Sequence, residues 1–336
     1  MTDETNGTTW MAREVAEIPD AAARLNEEAR GELREAAARF REAAPDLLVT
    51  IARGSSDHAM LHLKYAVELT LGLPVASIGP SIASVHGGGV RVKRAGVVAA
   101  SQSGASADIT ALARALSPAT ASLALLNTVP SPLADAIEAG GGTAFDLRAG
   151  PERAVAATKT CVSTMLAATR LVADWVEDDA LNAALDAAPG RLADALEADT
   201  GSMEALLAGD GPLFVLGRGG TVAAAMEAGL KCMEVLRRPA LAYSAAEVLH
   251  GPATLVGAGT PVLSFGGEGT GEAHDRLIAQ GARLVRLDTD GPRGGHPLLD
   301  GPVRLAAFYK AAERAARARG LDPDAPPHLR KETVTV

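Results

Sequence analysis

Short apolar runs alternate along this chain with longer, alanine-rich amphipathic stretches. Residues 47–52, 97–100 and 123–126 are apolar almost throughout, as strands buried on both faces are, whereas 57–71 and 108–116 carry apolar residues at helical spacing. A helical connector over 181–207 follows. The pattern then restarts, with strands at 213–216, 262–265 and 284–287 and a helix over 222–236. Strands joined through helices lie parallel, because each crossover returns the chain to the same end of the sheet. The pattern predicts an α/β fold of two parallel sheets, each flanked by helices in a three-layer, flavodoxin- or Rossmann-like sandwich. Short matches recur in the same order in both halves. Ala52-Arg53-Gly54 returns as Gly217-Arg218-Gly219, and Ile82-Ala83-Ser84-Val85-His86-Gly87 as Ala246-Glu247-Val248-Leu249-His250-Gly251. We divide the chain into an N-terminal segment at 1–28, a first domain at 29–180, a second at 200–322 and a C-terminal tail at 323–336.

Composition sharpens this picture. The 336 residues are 47% hydrophobic but only 3% aromatic, with 35 glycines, so the core is built from Ala, Val and Leu on closely packed helices. A net charge of -9 without any block of Lys or Arg opposes a nucleic-acid surface, so an anionic ligand must be held by local groups. Cys161 and Cys232 lie in apolar helical runs, where buried reduced thiols without a catalytic role are expected. The start Met1-Thr2-Asp3-Glu4 has no signal pattern, and no apolar run reaches the roughly 18 residues of a membrane span. The expectation is a cytoplasmic protein without membrane contact. The seven histidines show no metal-ligand spacing.

The strongest chemical signal is Val97-Val98-Ala99-Ala100-Ser101-Gln102-Ser103-Gly104-Ala105-Ser106-Ala107-Asp108, a buried strand that ends in a hydroxyl-rich turn opening a helix. Ser101, Ser103 and Ser106 supply donors, Gly104 admits an anion close to the backbone, and the free N–H groups of a helix start favour negative charge. Three hydroxyls and Gln102 in six positions exceed what capping requires, so the turn reads as a phosphate site. Gly54-Ser55-Ser56 would lie at the same end of the sheet, where Ser56 reads equally as a helix cap or as a ligand contact. Glu227, Lys231 and Glu234 share one face of an otherwise apolar helix, which suits proton transfer better than a solvated ion pair. His250 stands before a Gly-Pro break, where it reads as a general acid or base or as an ordinary loop histidine. Lys331, in an apolar β-rich tail, reads as a surface lysine or as a Schiff-base or electrostatic group.

Taken together, several segments resemble the tandem sugar-isomerase (SIS) proteins, and among them the isomerase part of glutamine:fructose-6-phosphate amidotransferase. They are Met11-Ala12-Arg13-Glu14-Val15-Ala16-Glu17-Ile18-Pro19, Arg53-Gly54-Ser55-Ser56, Ser101-Gln102-Ser103-Gly104, Val155-Ala156-Ala157-Thr158-Lys159, Leu216-Gly217-Arg218-Gly219, the 227–234 and 247–252 stretches, and the tail around Lys331. The resemblance implies that Ser56, Ser101, Gln102, Ser103 and Ser106 hold a sugar phosphate, with the Val155 and Ala156 backbone beside the sugar. It implies Glu234 as the base between C1 and C2, Glu227 and Lys231 as its polar support, and His250 as the ring-opening group in the neighbouring subunit of a homodimer. Lys331 would contact or form an imine with the open-chain sugar from a tail that closes the active site. No metal or organic cofactor is implied. Two departures stand out: Ala157 replaces a serine, and the glutaminase domain with its N-terminal cysteine is missing from this sequence. The resemblance therefore implies a glucosamine-6-phosphate deaminase that yields fructose 6-phosphate and ammonia. The alternatives are a fructosamine-6-phosphate deglycase, an aldose-ketose isomerase, or a non-catalytic phosphosugar sensor.

Overall fold

The computed structural model describes residues 7–116, 119–289 and 291–331. Two parallel sheets carry the fold. β1 (Leu47–Ile51), β2 (Val75–Ser77), β3 (Ala95–Ser101), β4 (Ala121–Leu126) and β5 (Thr143–Asp146) form the first, in the order β2-β1-β3-β4-β5. β6 (Leu213–Gly217), β7 (Ala240–Ser244), β8 (Pro261–Ser264) and β9 (Arg283–Arg286) form the second, in the order β7-β6-β8-β9. In both, the chain steps outward from its first strand and then crosses back past it to the third. The loops leaving β1 and β3, and those leaving β6 and β8, therefore adjoin at a topological switch point, the usual ligand position in such sheets.

The α/β fold follows from where the apolar runs can be buried. All seven residues of β3 are buried, and Val49, Ile51, Val97, Ala99, Ala124 and Leu126 form one core with Ile109, Leu112, Leu133 and Ile137 of the flanking helices. Phe214, Leu216 and Val262 pack likewise against Val248, Ala273 and Leu277. Strand β3 begins at Ala95, two residues before its apolar run, and Gly96 within it lets the Phe40 ring pack close: a Cβ there would meet that ring at 2.8 Å. The short strands β2, β5 and β7 carry no clear signal in sequence. The 181–207 connector is three helices, Asp179–Asp186, Ala188–Glu197 and Gly201–Leu207, with Pro189 in the first turn of the second and the Asp199 carboxylate accepting the Gly201 amide at 2.9 Å before the third.

The described chain forms two compact units that are not consecutive in sequence. One comprises residues 20–151 and 160–186; the other comprises residues 7–19, 152–159 and 187–331. No helix among the described residues is long and apolar enough to cross a membrane.

Candidate active site

In the first unit, β1 and β3 release their chains side by side. Arg53 is extended and Gly54 turns at φ +54° into the helix Gly54–Leu71, which places Ser55 and half-buried Ser56 in its first turn. After β3, the Ser101 hydroxyl accepts the Gly104 amide at 3.0 Å and the Ser103 hydroxyl accepts the Ala105 amide at 3.2 Å. Ser106 is the N-cap of the helix Ala107–Ala115, yet its side chain makes no capping hydrogen bond. A hydroxyl that accepts can still donate its own proton, so all three serines retain the ability to donate to an anion. Gly104 adopts φ +64°, and a Cβ there would lie 2.1 Å from the Ser131 hydroxyl, so both conformation and space demand glycine. The Gln102 carbonyl accepts the Asn127 amide at 3.2 Å and so joins this turn to the loop after β4.

Asp108, in the first turn of the Ala107–Ala115 helix, is 1% exposed and accepts Arg53 Nε at 3.1 Å and Nη2 at 2.9 Å. This pair, which sequence reasoning missed, ties the two serine loops together. Ser56, Ser101, Gln102, Ser103 and Ser106 thus share one end of one sheet. At the matching place in the second sheet, Arg218 is again extended and Gly219 again turns at φ +58°, but Thr221 bonds inward to the Gly266 carbonyl, and glycines 266, 267 and 269 stand in the place of serines.

In the second unit, the helix Val222–Leu236 carries a three-residue charge relay. Lys231 Nζ lies 3.2 Å from Glu227 and 2.5 Å from Glu234, and Tyr309 donates to Glu227 at 3.1 Å. Glu227 and Lys231 are fully buried, while the Glu234 side chain keeps 21% of its exposure. A solvated surface pair is excluded. Gly229 makes the close approach possible, since a Cβ there would meet Ala242 of β7 at 2.9 Å. His250 is exposed at the end of the 3-10 turn Glu247–His250. Cys161 and Cys232 are buried and form no disulfide; the Cys161 thiol donates to the Ser55 carbonyl at 3.5 Å, and burial pushes the Cys232 thiol up to about 12, far from thiolate chemistry.

In a different part of this unit, Lys331 meets the segment that leads into Val155 and Ala156. Lys331 Nζ donates to the Ala154 carbonyl at 2.7 Å and to Glu152 at 3.2 Å, and the Val155 amide donates to the Asp324 carbonyl at 3.1 Å. Glu152 also accepts the Thr158 amide at 3.0 Å. Glu14 accepts the amides of Arg153 and Ala154, and burial pushes its carboxyl up to about 7. Sequence reasoning quoted Glu14 within a motif but gave it no role. The available signal was its position: Met11, Glu14, Val15 and Ile18 fall on one helical stripe, so an acid stood in an otherwise apolar row. Among the described residues no group of three or more His, Cys, Asp or Glu is placed to hold a metal ion.

Comparison with known proteins assigns the chain to a family. No family model matches the chain. It is 31% identical over 314 residues to glutamine–fructose-6-phosphate aminotransferase (isomerizing) of Methanothermobacter thermautotrophicus, a match that covers 85% of this chain and 51% of that protein. A structure from Silicibacter pomeroyi DSS-3, described as a candidate phosphosugar isomerase, is 42% identical, with a TM-score of 0.88 over 94% of this chain and 100% of that one. The chain belongs to the SIS-domain phosphosugar isomerase family. It spans about half the length of the curated relatives it matches. A glucosamine-6-phosphate deaminase from Thermotoga maritima shares the fold, with a TM-score of 0.74 at 21% identity over 96% of this chain and 100% of that one.

Proposed function

We propose that this SIS protein is a glucosamine-6-phosphate deaminase, converting glucosamine 6-phosphate and water to fructose 6-phosphate and ammonia. The observation that carries the reading is the relay on Val222–Leu236, in which a buried Lys231 is shared by a buried Glu227 and a partly exposed Glu234. A carboxylate with one face reachable and the other fixed by an ammonium is suited to take up and return a proton in one place. The curated relatives are named for chemistry on fructose 6-phosphate, and the Thermotoga maritima structure is named for the deaminase reaction itself. Both names favour an amino sugar phosphate here.

In this reading the two sheets are tandem SIS domains, divided as the sequence pattern suggests. Ser56, Ser101, Gln102, Ser103 and Ser106 hold the phosphate and neighbouring hydroxyls, and the Val155 and Ala156 backbone lies beside the sugar. His250 opens the pyranose ring to expose the C1 aldehyde, and acts in the site of the neighbouring subunit of a homodimer. Glu234 removes the C2 proton and returns it to C1, while the amine gives up a proton and the C1 oxygen gains one, which turns the 2-amino aldose into a 1-hydroxy C2 ketimine without net oxidation. Water then adds at C2, ammonia leaves, and the ketose remains. Lys331 contacts the open-chain sugar, while Glu227 and Lys231 keep Glu234 in place.

The test is a substrate panel on purified protein. Glucosamine 6-phosphate should release ammonia and fructose 6-phosphate in equal amounts. Turnover of a fructosamine 6-phosphate or of an unaminated aldose phosphate instead would overturn the substrate, and binding without any turnover would favour a phosphosugar sensor.

A further inference from the structure

Glu14 lies in the helix Trp10–Ala16 and is 2% exposed, with both carboxylate oxygens directed at backbone donors. Oε1 accepts the Arg153 amide, and the Ala154 amide lies 3.4 Å from Oε1 and 3.3 Å from Oε2. The carbonyl of that same Ala154 accepts Lys331 Nζ at 2.7 Å. Glu152, buried one residue before the clamped amides, accepts Lys331 through Oε2 and the Thr158 amide through Oε1. Asp324 fixes the next residue, its carbonyl accepting the Val155 amide, and its carboxylate accepts the amides of Trp10 and Met11 at 2.8 Å each. One short segment, residues 152–158, is thus held from the Trp10–Ala16 helix on one side and from the 324–331 tail on the other.

We propose that Glu14 is a positioning residue for the deamination: by clamping the Arg153 and Ala154 amides it fixes the peptide on which Lys331 is anchored and from which Val155 and Ala156 present their backbone. This rests on the reading that Lys331 and the 155–156 backbone touch the sugar. The ionised acid serves the clamp better, because a carboxylate accepts through both oxygens and carries charge, whereas protonation of Oε2 leaves Oε1 alone, as a weaker neutral acceptor, to hold both amides. The charged groups facing it are Glu152 from the clamped segment and Lys331 from the tail. The other nearby charges have partners of their own: the Asp324 carboxylate holds the Trp10 and Met11 amides, Glu17 pairs with Lys159 at 2.5 Å, and the Arg13 and Arg153 guanidiniums lie over the Trp10 ring at 4.8 and 4.4 Å. With Glu14 titrating at about 7, the clamp engages as the pH rises through neutrality.

The experiment compares wild type, Glu14→Gln and Glu14→Asp by amide hydrogen exchange without substrate and by kinetics on glucosamine 6-phosphate between pH 6 and 8.5. In Glu14→Gln the Arg153 and Ala154 amides should exchange roughly tenfold faster, as expected when a hydrogen bond to a charged acceptor is lost. In the same variant kcat should fall by about tenfold, KM should change by less than about twofold, and the rise of kcat through pH 7 should disappear. Glu14→Asp, shorter but still titratable, should show the faster exchange and keep a pH-dependent kcat. Unchanged exchange in an active enzyme, or faster exchange with an unaltered pH profile, overturns the role of Glu14 alone. A wild type that turns over no phosphosugar overturns the functional reading first, while the exchange of the Arg153 and Ala154 amides still reports whether Glu14 holds them.

Discussion

Glu234 differs from its relay partners in one respect that decides its role: it is the only member of the relay whose side chain retains exposure, at 21%, while Glu227 and Lys231 have none. In the proposed reaction the exposed acid is the member that can reach substrate, and the buried pair supports it. Glu234→Gln keeps the shape and removes the base, so kcat on glucosamine 6-phosphate should fall by roughly 100- to 10,000-fold with phosphate affinity nearly intact. Near-normal turnover would place the base elsewhere. Glu14 makes a separate prediction for stability. Its carboxyl titrates at about 7 in the fold against an ordinary 4.5, so the folded state binds the proton more tightly than the unfolded chain. The stability this proton contributes is fully present below about pH 4.5 and is lost as the pH rises through about 7. Glu14→Gln has no such titration, so urea unfolding at pH 5 and pH 8 should show the variant gaining on wild type at the higher pH. Parallel behaviour at both pH values would contradict the burial argument. Wild type would thus hold an ionised, less stable clamp at the pH where we expect it to work, a common pattern at functional sites.

At the scale of the element, the Arg53–Asp108 pair couples two loops whose serines are proposed to hold one phosphate. Asp108 is buried at the start of a helix, where an acid is welcome, but its charge would repel a phosphate dianion unless Arg53 offset it. Arg53→Met should raise KM for the sugar phosphate by about tenfold or more, and adding Asp108→Asn should restore much of the loss; a double variant no better than Arg53→Met would show that Arg53 contacts the phosphate directly. The pair also shows what the sequence could and could not disclose. The serine turn was legible because strand, hydroxyls and glycine are adjacent in the chain. Arg53 and Asp108 are 55 residues apart and meet only because β1 and β3 are neighbours in the sheet. Central strands were legible from continuous apolar runs, whereas β2, with three residues, and β7, half-buried throughout, lacked one. The Trp10–Ala16 helix went unread because its buried stripe is short and is interrupted by the acid Glu14 between Met11 and Val15.

For the whole molecule, the sequence pattern ordered the chain into successive halves, and residues 7–19 and 152–159, remote in sequence, belong to the same compact unit as 187–331. No local pattern announces this, since it depends on contacts such as Thr9 to Glu313 and Met11 to Asp324 that span most of the chain. The same long reach bears on assembly. His250 is exposed on a turn, as a group serving a neighbouring subunit would have to be before the dimer forms. If it acts across the dimer, Glu234→Gln and His250→Ala should each be inactive alone. Mixed and allowed to exchange subunits, they should form heterodimers in which one of the two sites carries both intact groups. Activity should then return, to about a quarter of wild type at equal mixing, because half of the dimers are mixed and each has one good site. The recovery should fall on dilution as subunits separate. A site built from one chain would give no recovery at any ratio, and the single-chain roles of Ser101, Ser103 and Glu234 would then stand without the dimer.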